Sequence, residues 1–143
     1  MKDDCIFCKL ANGVFKTNTI YEDDYFRVIL DASPSNQGHA LILPKEHFDN
    51  IYELNDEYSS KLMPVANKVS KAMRDLLKCD GLNILQNNGE VAGQTVFHFH
   101  MHLIPRYNDD SVNINWTPGS VDDDFAKDYV AKMKGRFSEW KRF

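Results

Sequence analysis

Three histidines alternate with apolar residues in the segment His98-Phe99-His100-Met101-His102. Because successive side chains of an extended strand point to opposite faces, the three imidazoles would share one face and the two apolar side chains the other. Neutral imidazole is a nucleophile, a general acid or base and a metal ligand near neutral pH. The spacing therefore predicts a site of chemistry and not an ordinary solvated strand face.

Two of the three cysteines are separated by two residues, as Cys5 and Cys8. An odd cysteine count and an N-terminus that lacks an export signal argue against a disulfide framework, so the pair indicates a metal site or a thiol redox motif. The pair does not follow a strand of a βαβ pattern, which disfavours a thioredoxin-like redox role. Composition alone does not decide between the two uses.

Length and charge restrict the class of protein. The chain has 143 residues, and 17 Lys and Arg against 21 Asp and Glu give a net charge of −4 without any block of like charge. That balance disfavours a nucleic-acid or membrane-surface partner, and no apolar run approaches the ~20 residues of a membrane span. We expect a single domain over residues 1–143, a cytoplasmic location and no binding to membranes or nucleic acids.

Hydrophobic periodicity predicts the elements that position these residues. Strands are expected at 19–21, 26–30, 39–43, 82–86 and 96–105, and helices at about 5–12, 56–78 and 122–137. Asn55 suits the N-cap of the long helix, whereas Pro64 predicts either a kink or a later helix start. The order favours an α+β fold with a mainly antiparallel five-stranded sheet, one long helix and a C-terminal helix.

The segment that contains the histidines, AGQTVFHFHMHLI at 92–104, resembles the signature of the histidine triad (HIT) family. The similarity extends in the same order to CIFCKL at 5–10, LDASP at 30–34 and GHALILPKEH at 38–47. The triad with its Gly-Gln lead-in is the specific part, and each other piece is weak by itself. The resemblance implies a HIT-like domain followed by a C-terminal extension at 111–143.

Members of the family are typically homodimers whose sheets are joined, so the resemblance also implies a homodimer. Part of the C-terminal extension is a candidate for contact with the partner subunit. The apolar residues that suggest this contact are Phe137, Trp140 and Phe143.

The resemblance implies transfer or hydrolysis at the α-phosphate of a purine nucleotide conjugate, such as an adenylyl phosphoramidate or a dinucleoside polyphosphate. His100 matches the nucleophile that forms a covalent nucleotidyl-histidine, a role that neutral imidazole suits. His102 matches the position near the leaving group, where an imidazolium would donate a proton. His39 would support that network, and Gln94 matches a polar position at the phosphate or leaving group.

The same likeness implies a nucleotide pocket. Asp31 matches the residue that accepts from the ribose hydroxyls, while Asn87 and Thr95 match contacts to the phosphate. The matching apolar walls around the base are Ile6, Phe7, Leu10, Ile29 and Leu30.

In zinc-containing relatives a Cys-x-x-Cys pair and two histidines hold one ion. The matching residues here are Cys5, Cys8, His47 and His98. Such a Cys2His2 set closes a tetrahedral site, so the resemblance implies a structural zinc.

Three functions remain open from the sequence. The first is the enzyme described above, and the second is a nucleotide-binding regulatory module with incidental catalysis. The third is a metallohydrolase with a catalytic zinc on the three histidines, which would leave Cys5 and Cys8 without partners. The substrate is open as well. Arg106 is similar to a residue typical of the dinucleotide-cleaving branch of the family, whereas the cysteine pair and residues 31–34 are similar to those of phosphoramidase-like members.

Overall fold

A computed structural model of the chain describes residues 1–138. Its elements are α1 (Ile6–Ala11), β1 (Thr19–Glu22), β2 (Phe26–Leu30), β3 (Ala40–Pro44), α2 (Asp56–Leu77), β4 (Gly81–Leu85), a 3-10 turn (Glu90–Ala92), β5 (Met101–Arg106) and α3 (Asp123–Ser138). The chain divides into two compact units, Met1–Val112 and a second that begins at Asn113 and contains α3. No helix within residues 1–138 is both long and apolar enough to cross a bilayer.

The strands of the first unit form one sheet in the order β1-β2-β3-β5-β4, and every neighbouring pair is antiparallel. This confirms the predicted α+β class with a five-stranded antiparallel sheet. Because β5 lies between β3 and β4, the end of the histidine segment is at an interior position of the sheet. His102 pairs with Leu41 of β3 on one side and with Leu85 of β4 on the other.

The long helix α2 begins where the sequence predicts. The Asn55 side chain accepts a hydrogen bond of 2.9 Å from the Tyr58 amide, which satisfies one of the free donors of the first turn. The helix continues through Pro64, so the alternative of a later start is wrong. Proline removes the hydrogen bond to the carbonyl of Ser60, and both residues are exposed, so water can satisfy that carbonyl.

One face of α2 and one face of the sheet form the main core. The helix contributes Tyr58, Leu62, Val65, Ala66, Val69 and Met73, and the opposing buried side chains include Phe26, Val28, Ile42, Phe99, Met101 and Leu103. The apolar stripe of α2 extends beyond this core, since Leu76 is 83% exposed. Leu76 lines an apolar groove of about 570 Å³ between the end of α2 and residues that include Ile20 and Leu30.

The last strand differs from the prediction at its start. The sequence predicts a strand over 96–105, but β5 begins at Met101. The Phe99 amide donates to the carbonyl of Phe48 at 2.7 Å, so the chain just before β5 pairs with the segment after β3 and not with the sheet ladder. The alternation nevertheless persists, because Phe99 packs in the core while His98 belongs to a cluster at the N-terminus of α1.

Candidate active site and metal centre

Two cysteines and two histidines converge at the N-terminus of α1. Cys5 caps the helix, and the Cys8 amide donates to its sulfur at 3.3 Å. The Nδ1 atom of His98 lies 3.4 Å from each sulfur, and Nδ1 of His47 lies 3.4 Å from the sulfur of Cys8. Tetrahedral zinc, with bonds of about 2.3 Å to sulfur and about 2.0 Å to nitrogen, places such atoms about 3.5 Å apart. The donor types and spacing therefore fit one zinc ion.

The other ring nitrogen of each histidine in this cluster has a partner that fixes the tautomer. Nε2 of His47 donates to Oδ1 of Asp49 at 2.7 Å, and Nε2 of His98 donates to the carbonyl of Pro44 at 2.9 Å. Each Nδ1 therefore presents a lone pair to the sulfurs, as a metal ligand requires. Burial is the main cause that lowers the pKa of His98 to about 4, so this imidazole is neutral at pH 7.

His100 is held with one ring nitrogen bound to the backbone and the other free. Its Nδ1 donates to the carbonyl of His98 at 2.7 Å, which leaves the lone pair on Nε2. Burial lowers the pKa of His100, so the ring is neutral at pH 7. The Phe7 ring of α1 meets the imidazole edge-on, with ring centroids 4.9 Å apart.

His102 and His39 form a hydrogen-bonded pair beside His100. Nδ1 of His102 lies 2.9 Å from Nε2 of His39, and the rings of His100 and His102 are 5.1 Å apart. Burial, followed by repulsion from the neighbouring histidines, lowers the pKa of His102 to about 4. This ring is therefore neutral at pH 7 in the free protein, and the imidazolium expected at His102 during the reaction stays a prediction.

A pocket of about 480 Å³ opens in front of His100 and His102. The sequence-predicted residues that line it are Phe7, Leu10, Ile29, Leu30, Asp31, Thr95, His100 and His102. Their arrangement provides apolar walls from α1 and β2, a carboxylate at the end of β2 and imidazoles from the triad segment. The pocket can therefore accept a flat apolar group, hydroxyls and a reacting anion in one continuous space.

Other predicted residues lie outside this pocket. Ile6 is 53% exposed and lines a separate depression beside Cys5. Asn87 lies against the backbone of Gly93, where an added Cβ would be 3.2 Å from its Nδ2. His39 lies behind His102, which it reaches through the hydrogen bond described above.

Gln94 is 1% exposed, and its side chain holds the backbone together. Its Oε1 accepts from the Gly89 amide at 2.8 Å. Its Nε2 donates to the carbonyls of Asp49 at 2.6 Å and Val96 at 3.1 Å. Gln94 therefore connects the segment around the 3-10 turn to the residue that orients His47.

Sequence reasoning missed three polar residues at the rim of the pocket, Lys16, Thr17 and Asn18. They reach it because the Leu30 amide donates to the carbonyl of Asn18 at 2.9 Å, which places this connector beside the end of β2. The segment has no periodic pattern, so its sequence offers no signal of this location. Lys16 is the sole cation among the described residues that line the pocket.

The three histidines of the triad segment do not surround one point. Among residues 1–138, the metal-ligating side chains converge in two other groups, the Cys2His2 set and the trio of Asp31, His39 and His102. In that trio Oδ2 of Asp31 is 3.6 Å from Nε2 of His39. The triad is thus divided between two sites, unlike the single catalytic zinc centre of the third hypothesis.

Arg106 lies outside the pocket as well. Its guanidinium makes two hydrogen bonds to the carboxylate of Asp110, at 2.8 and 2.9 Å, and one to Oδ1 of Asn83 at 2.7 Å. These contacts tie the end of β5 to the segment that follows and to β4. The Arg106 side chain therefore stabilises the contacts among β4, β5 and the segment that follows β5.

Comparison with known proteins relates this geometry to one family. The family model described as HIT domain matches residues 12–109. Similar proteins include the adenosine 5'-monophosphoramidase HNT1 of Saccharomyces cerevisiae, which is 38% identical over 136 residues that cover 92% of this chain and 84% of that protein.

Two solved structures show the same architecture. The crystal structure of SMU.412c from Streptococcus mutans UA159 has a TM-score of 0.90 and 35% identity, with 96% of this chain and 87% of that chain covered. A Zn-bound histidine triad family protein from Mycobacterium smegmatis has a TM-score of 0.73 and 37% identity, with 81% and 84% covered.

Proposed function

Since the chain belongs to the HIT domain family, we propose that it hydrolyses nucleotide conjugates at the α-phosphate through a covalent nucleotidyl-histidine on His100. The observation that carries this proposal is the state of that residue. His100 is buried and neutral, its Nδ1 is bound to the carbonyl of His98, and the ring lines the pocket. A neutral imidazole with one free lone pair is the form that attacks phosphorus.

In the first step Nε2 of His100 forms a bond to the α-phosphorus, and the bond from phosphorus to the leaving group breaks. The leaving group keeps that electron pair and takes the proton of the ring nitrogen of His102 that faces it. In the second step a water oxygen bonds to phosphorus, the proton of that water passes to the same ring nitrogen of His102, and the bond between phosphorus and Nε2 of His100 breaks. The products are a nucleoside monophosphate, the protonated leaving group and the regenerated imidazole.

The pocket supports a small leaving group and an adenylyl or other purine moiety. The base would lie between Phe7 and Ile29, and the carboxylate of Asp31 would accept from the ribose hydroxyls. A dinucleoside polyphosphate brings several additional charges, yet Lys16 is the one cation of the described lining and Arg106 is bound to Asp110. We therefore favour a nucleoside phosphoramidate, in agreement with the adenosine 5'-monophosphoramidase activity named for the yeast relative.

The proposal includes a structural zinc on Cys5, Cys8, His47 and His98. Support comes from the sulfur and nitrogen atoms, which converge within 4.8 Å, and from the Zn-bound relative of similar fold. When bound, the ion supplies a cross-link between the start of α1 and the segments that follow β3 and precede β5. All four ligand positions are then filled by protein, so the ion leaves no site for substrate.

The test compares wild type with His100→Ala on adenosine 5'-phosphoramidate. We expect turnover to fall below detection while AMP still binds, and mass spectrometry of quenched wild type to show an AMP adduct on His100. Retained hydrolysis in the variant would refute the mechanism. Tight AMP binding by a wild type that hydrolyses nothing would instead support the regulatory module.

A further inference from the structure

Ser35, which lies between β2 and β3, contacts His39 on the side away from His102. Its amide donates to Nδ1 of His39 at 3.1 Å, and its hydroxyl oxygen lies 3.1 Å from the same nitrogen. Ser35 itself is exposed. Together with the contact between His39 and His102, these bonds form a continuous chain from solvent to the ring beside the pocket.

The loop that carries Ser35 is held at several points. The Asp31 amide donates to the carbonyl of His39 at 2.9 Å, and the His39 amide donates to the carbonyl of Asn36 at 3.1 Å. The Asn36 side chain donates at 2.8 Å both to the carbonyl of Pro105 and to Oδ2 of Asp110. The direction of the Ser35 amide is therefore fixed by bonds on both sides of it.

This direction decides where the hydrogens of the two rings are. An amide can only donate, so Nδ1 of neutral His39 carries the lone pair and its hydrogen is on Nε2. That Nε2 is 2.9 Å from Nδ1 of His102 and 3.6 Å from Oδ2 of Asp31, so it donates to His102. His102 in turn carries its hydrogen on Nε2, the nitrogen that is free to meet a leaving group.

A neutral imidazole that only gives up a proton becomes an imidazolate, which is strongly disfavoured near pH 7. His102 can protonate a leaving group only if a proton reaches its Nδ1 at the same time. The hydrogen on Nε2 of His39 is in place for that transfer, and His39 then needs a proton at Nδ1. The hydroxyl of Ser35 is the transferable proton at that position, because the amide proton is not.

We propose that Ser35, His39 and His102 form a proton relay between solvent and the leaving group, and that the Ser35 amide sets its resting direction. This proposal rests on the proposed function for its chemical step. In the first step Nε2 of His102 gives its proton to the leaving group, Nδ1 receives one from Nε2 of His39, and Nδ1 of His39 receives one from Oγ of Ser35. In the same step a proton from solvent replaces the one that leaves Oγ, so no serine alkoxide forms.

The same relay runs backwards in the second step. After the first step Nε2 of His102 bears a lone pair, so it accepts a proton from the attacking water. Nδ1 of His102 returns a proton to Nε2 of His39, Nδ1 of His39 returns one to Ser35, and the serine releases one to solvent. His102 thus serves first as acid and then as base, with both rings neutral throughout.

The test uses Ser35→Ala, which removes the hydroxyl and keeps the amide, with Ser35→Thr to restore a hydroxyl. Ser59→Ala, on the exposed side of α2, is the matched control. Single-turnover release of the leaving group is measured for adenosine 5'-phosphoramidate and for the p-nitrophenyl ester of AMP. A general acid contributes on the order of 10²–10⁴-fold, so we expect a loss of at least about tenfold on the phosphoramidate.

The nitrophenolate leaves without a proton, so its release should change less than about twofold in Ser35→Ala. Equal losses on both substrates, or none on the phosphoramidate, would overturn the relay.

Nitrogen NMR of the histidine rings provides a readout that is independent of activity. We expect Nδ1 of His39 and of His102 to be unprotonated in wild type, and a proton on either would overturn the assigned direction. If wild type hydrolyses neither substrate, the proposed function fails while the tautomers can still be read.

Discussion

His98 and His100 are separated by one residue but belong to different sites, the Cys2His2 cluster and the pocket. The imidazole of His98 faces the cysteines, while its carbonyl accepts from Nδ1 of His100. The same residue therefore contributes a ligand to one site and fixes the tautomer in the other. A substitution at His98 would change only the ligand directly, because the carbonyl belongs to the backbone.

We expect burial of the rings of His100 and His102, the proposed catalytic residues, to set the acid limb of the pH profile. His100 must be neutral to attack, and burial lowers its pKa below the ordinary 6.5, while that of His102 is lowered to about 4. A lowered pKa means that protonation of His100 begins only at lower pH, so the midpoint of the acid limb of kcat/KM should lie below 6.5. The measurement is kcat/KM on adenosine 5'-phosphoramidate, with circular dichroism at each pH to check folding. An acid limb centred at 6.5 or higher would contradict this.

Several site residues were predictable because their side chains follow a simple pattern. Alternation placed Phe99 and Met101 in the core and separated them from the histidines. The pattern gave no information on Lys16, which reaches the pocket through a backbone bond of Asn18, or on the neutral state of His102, which depends on burial. Such features depend on tertiary contacts that no local sequence encodes.

At the scale of elements, α1 connects the candidate metal centre to the pocket. This helix of six residues carries Cys8 in the cluster and both Phe7 and Leu10 in the pocket wall, and Cys5 caps it. Loss of the ion should therefore loosen nucleotide binding more than it slows the chemical step. The reason is that His100 and His102 are held by other bonds.

We expect Cys8→Ser to lose zinc and to raise KM about tenfold or more, with a smaller change in kcat. Loss of one aromatic contact of about 1.4 kcal/mol is sufficient for a tenfold weaker affinity. Elemental analysis should find one zinc per chain in wild type and less than that in the variant. Cys79→Ser, a cysteine outside the cluster, is the control for both readouts. An unchanged KM in a zinc-free Cys8→Ser would contradict the coupling.

The loop before β3 depends on a glycine. Gly38 has φ +96°, and a Cβ added there would lie 2.6 Å from Cδ1 of Leu77 at the end of α2. Gly38→Ala should lower the free energy of unfolding by about 1–3 kcal/mol, mainly because of the backbone conformation. Urea denaturation measures this, with Gly119→Ala, where no atom lies within 4 Å, as the control. Equal midpoints for the two variants would show that the loop tolerates a side chain.

The boundaries of elements were harder to predict than their existence. The apolar alternation of 96–105 is that of a strand, yet its first half pairs through the Phe99 amide with Phe48 and leaves the ladder. For α2, the N-cap at Asn55 was predicted correctly, whereas the later start that Pro64 suggested is wrong. In both cases the outcome depended on which partner or solvent satisfies a backbone group.

At the scale of the whole molecule, β1 and β4 are the two edges of the sheet. The homodimer implied by the family resemblance would join sheets at one edge, and β4 neighbours the strand that carries His102. Ile84 in β4 and Ile20 in β1 are similarly exposed, at 44% and 46%, so substitutions at these two positions can be compared as test and control. An unpaired edge that remains apolar is a surface on which another chain can add.

We expect wild type to sediment at twice the chain mass and Ile84→Lys to sediment as a monomer, because a charge opposes edge pairing. Ile20→Lys should remain a dimer. Analytical ultracentrifugation at several concentrations measures both. A monomeric wild type, or dissociation by Ile20→Lys alone, would contradict the choice of β4. Two of the apolar residues assigned to a partner contact, Trp140 and Phe143, lie outside the described residues.

The position of α1 in the chain has a consequence for the order of folding. Its apolar residues Ala11 and Leu10 find partners in β2 and β3, which are synthesised soon afterwards. The sulfur of its N-cap residue Cys5, however, contacts Nδ1 of His98, which is 93 residues later in the chain, and Phe7 contacts the ring of His100. Contacts between such distant positions form late, since the intervening chain must first be ordered. Although α1 is synthesised before β5, it is thus among the last of the described elements to complete its contacts, and a nascent chain cannot hold nucleotide before the triad segment has emerged.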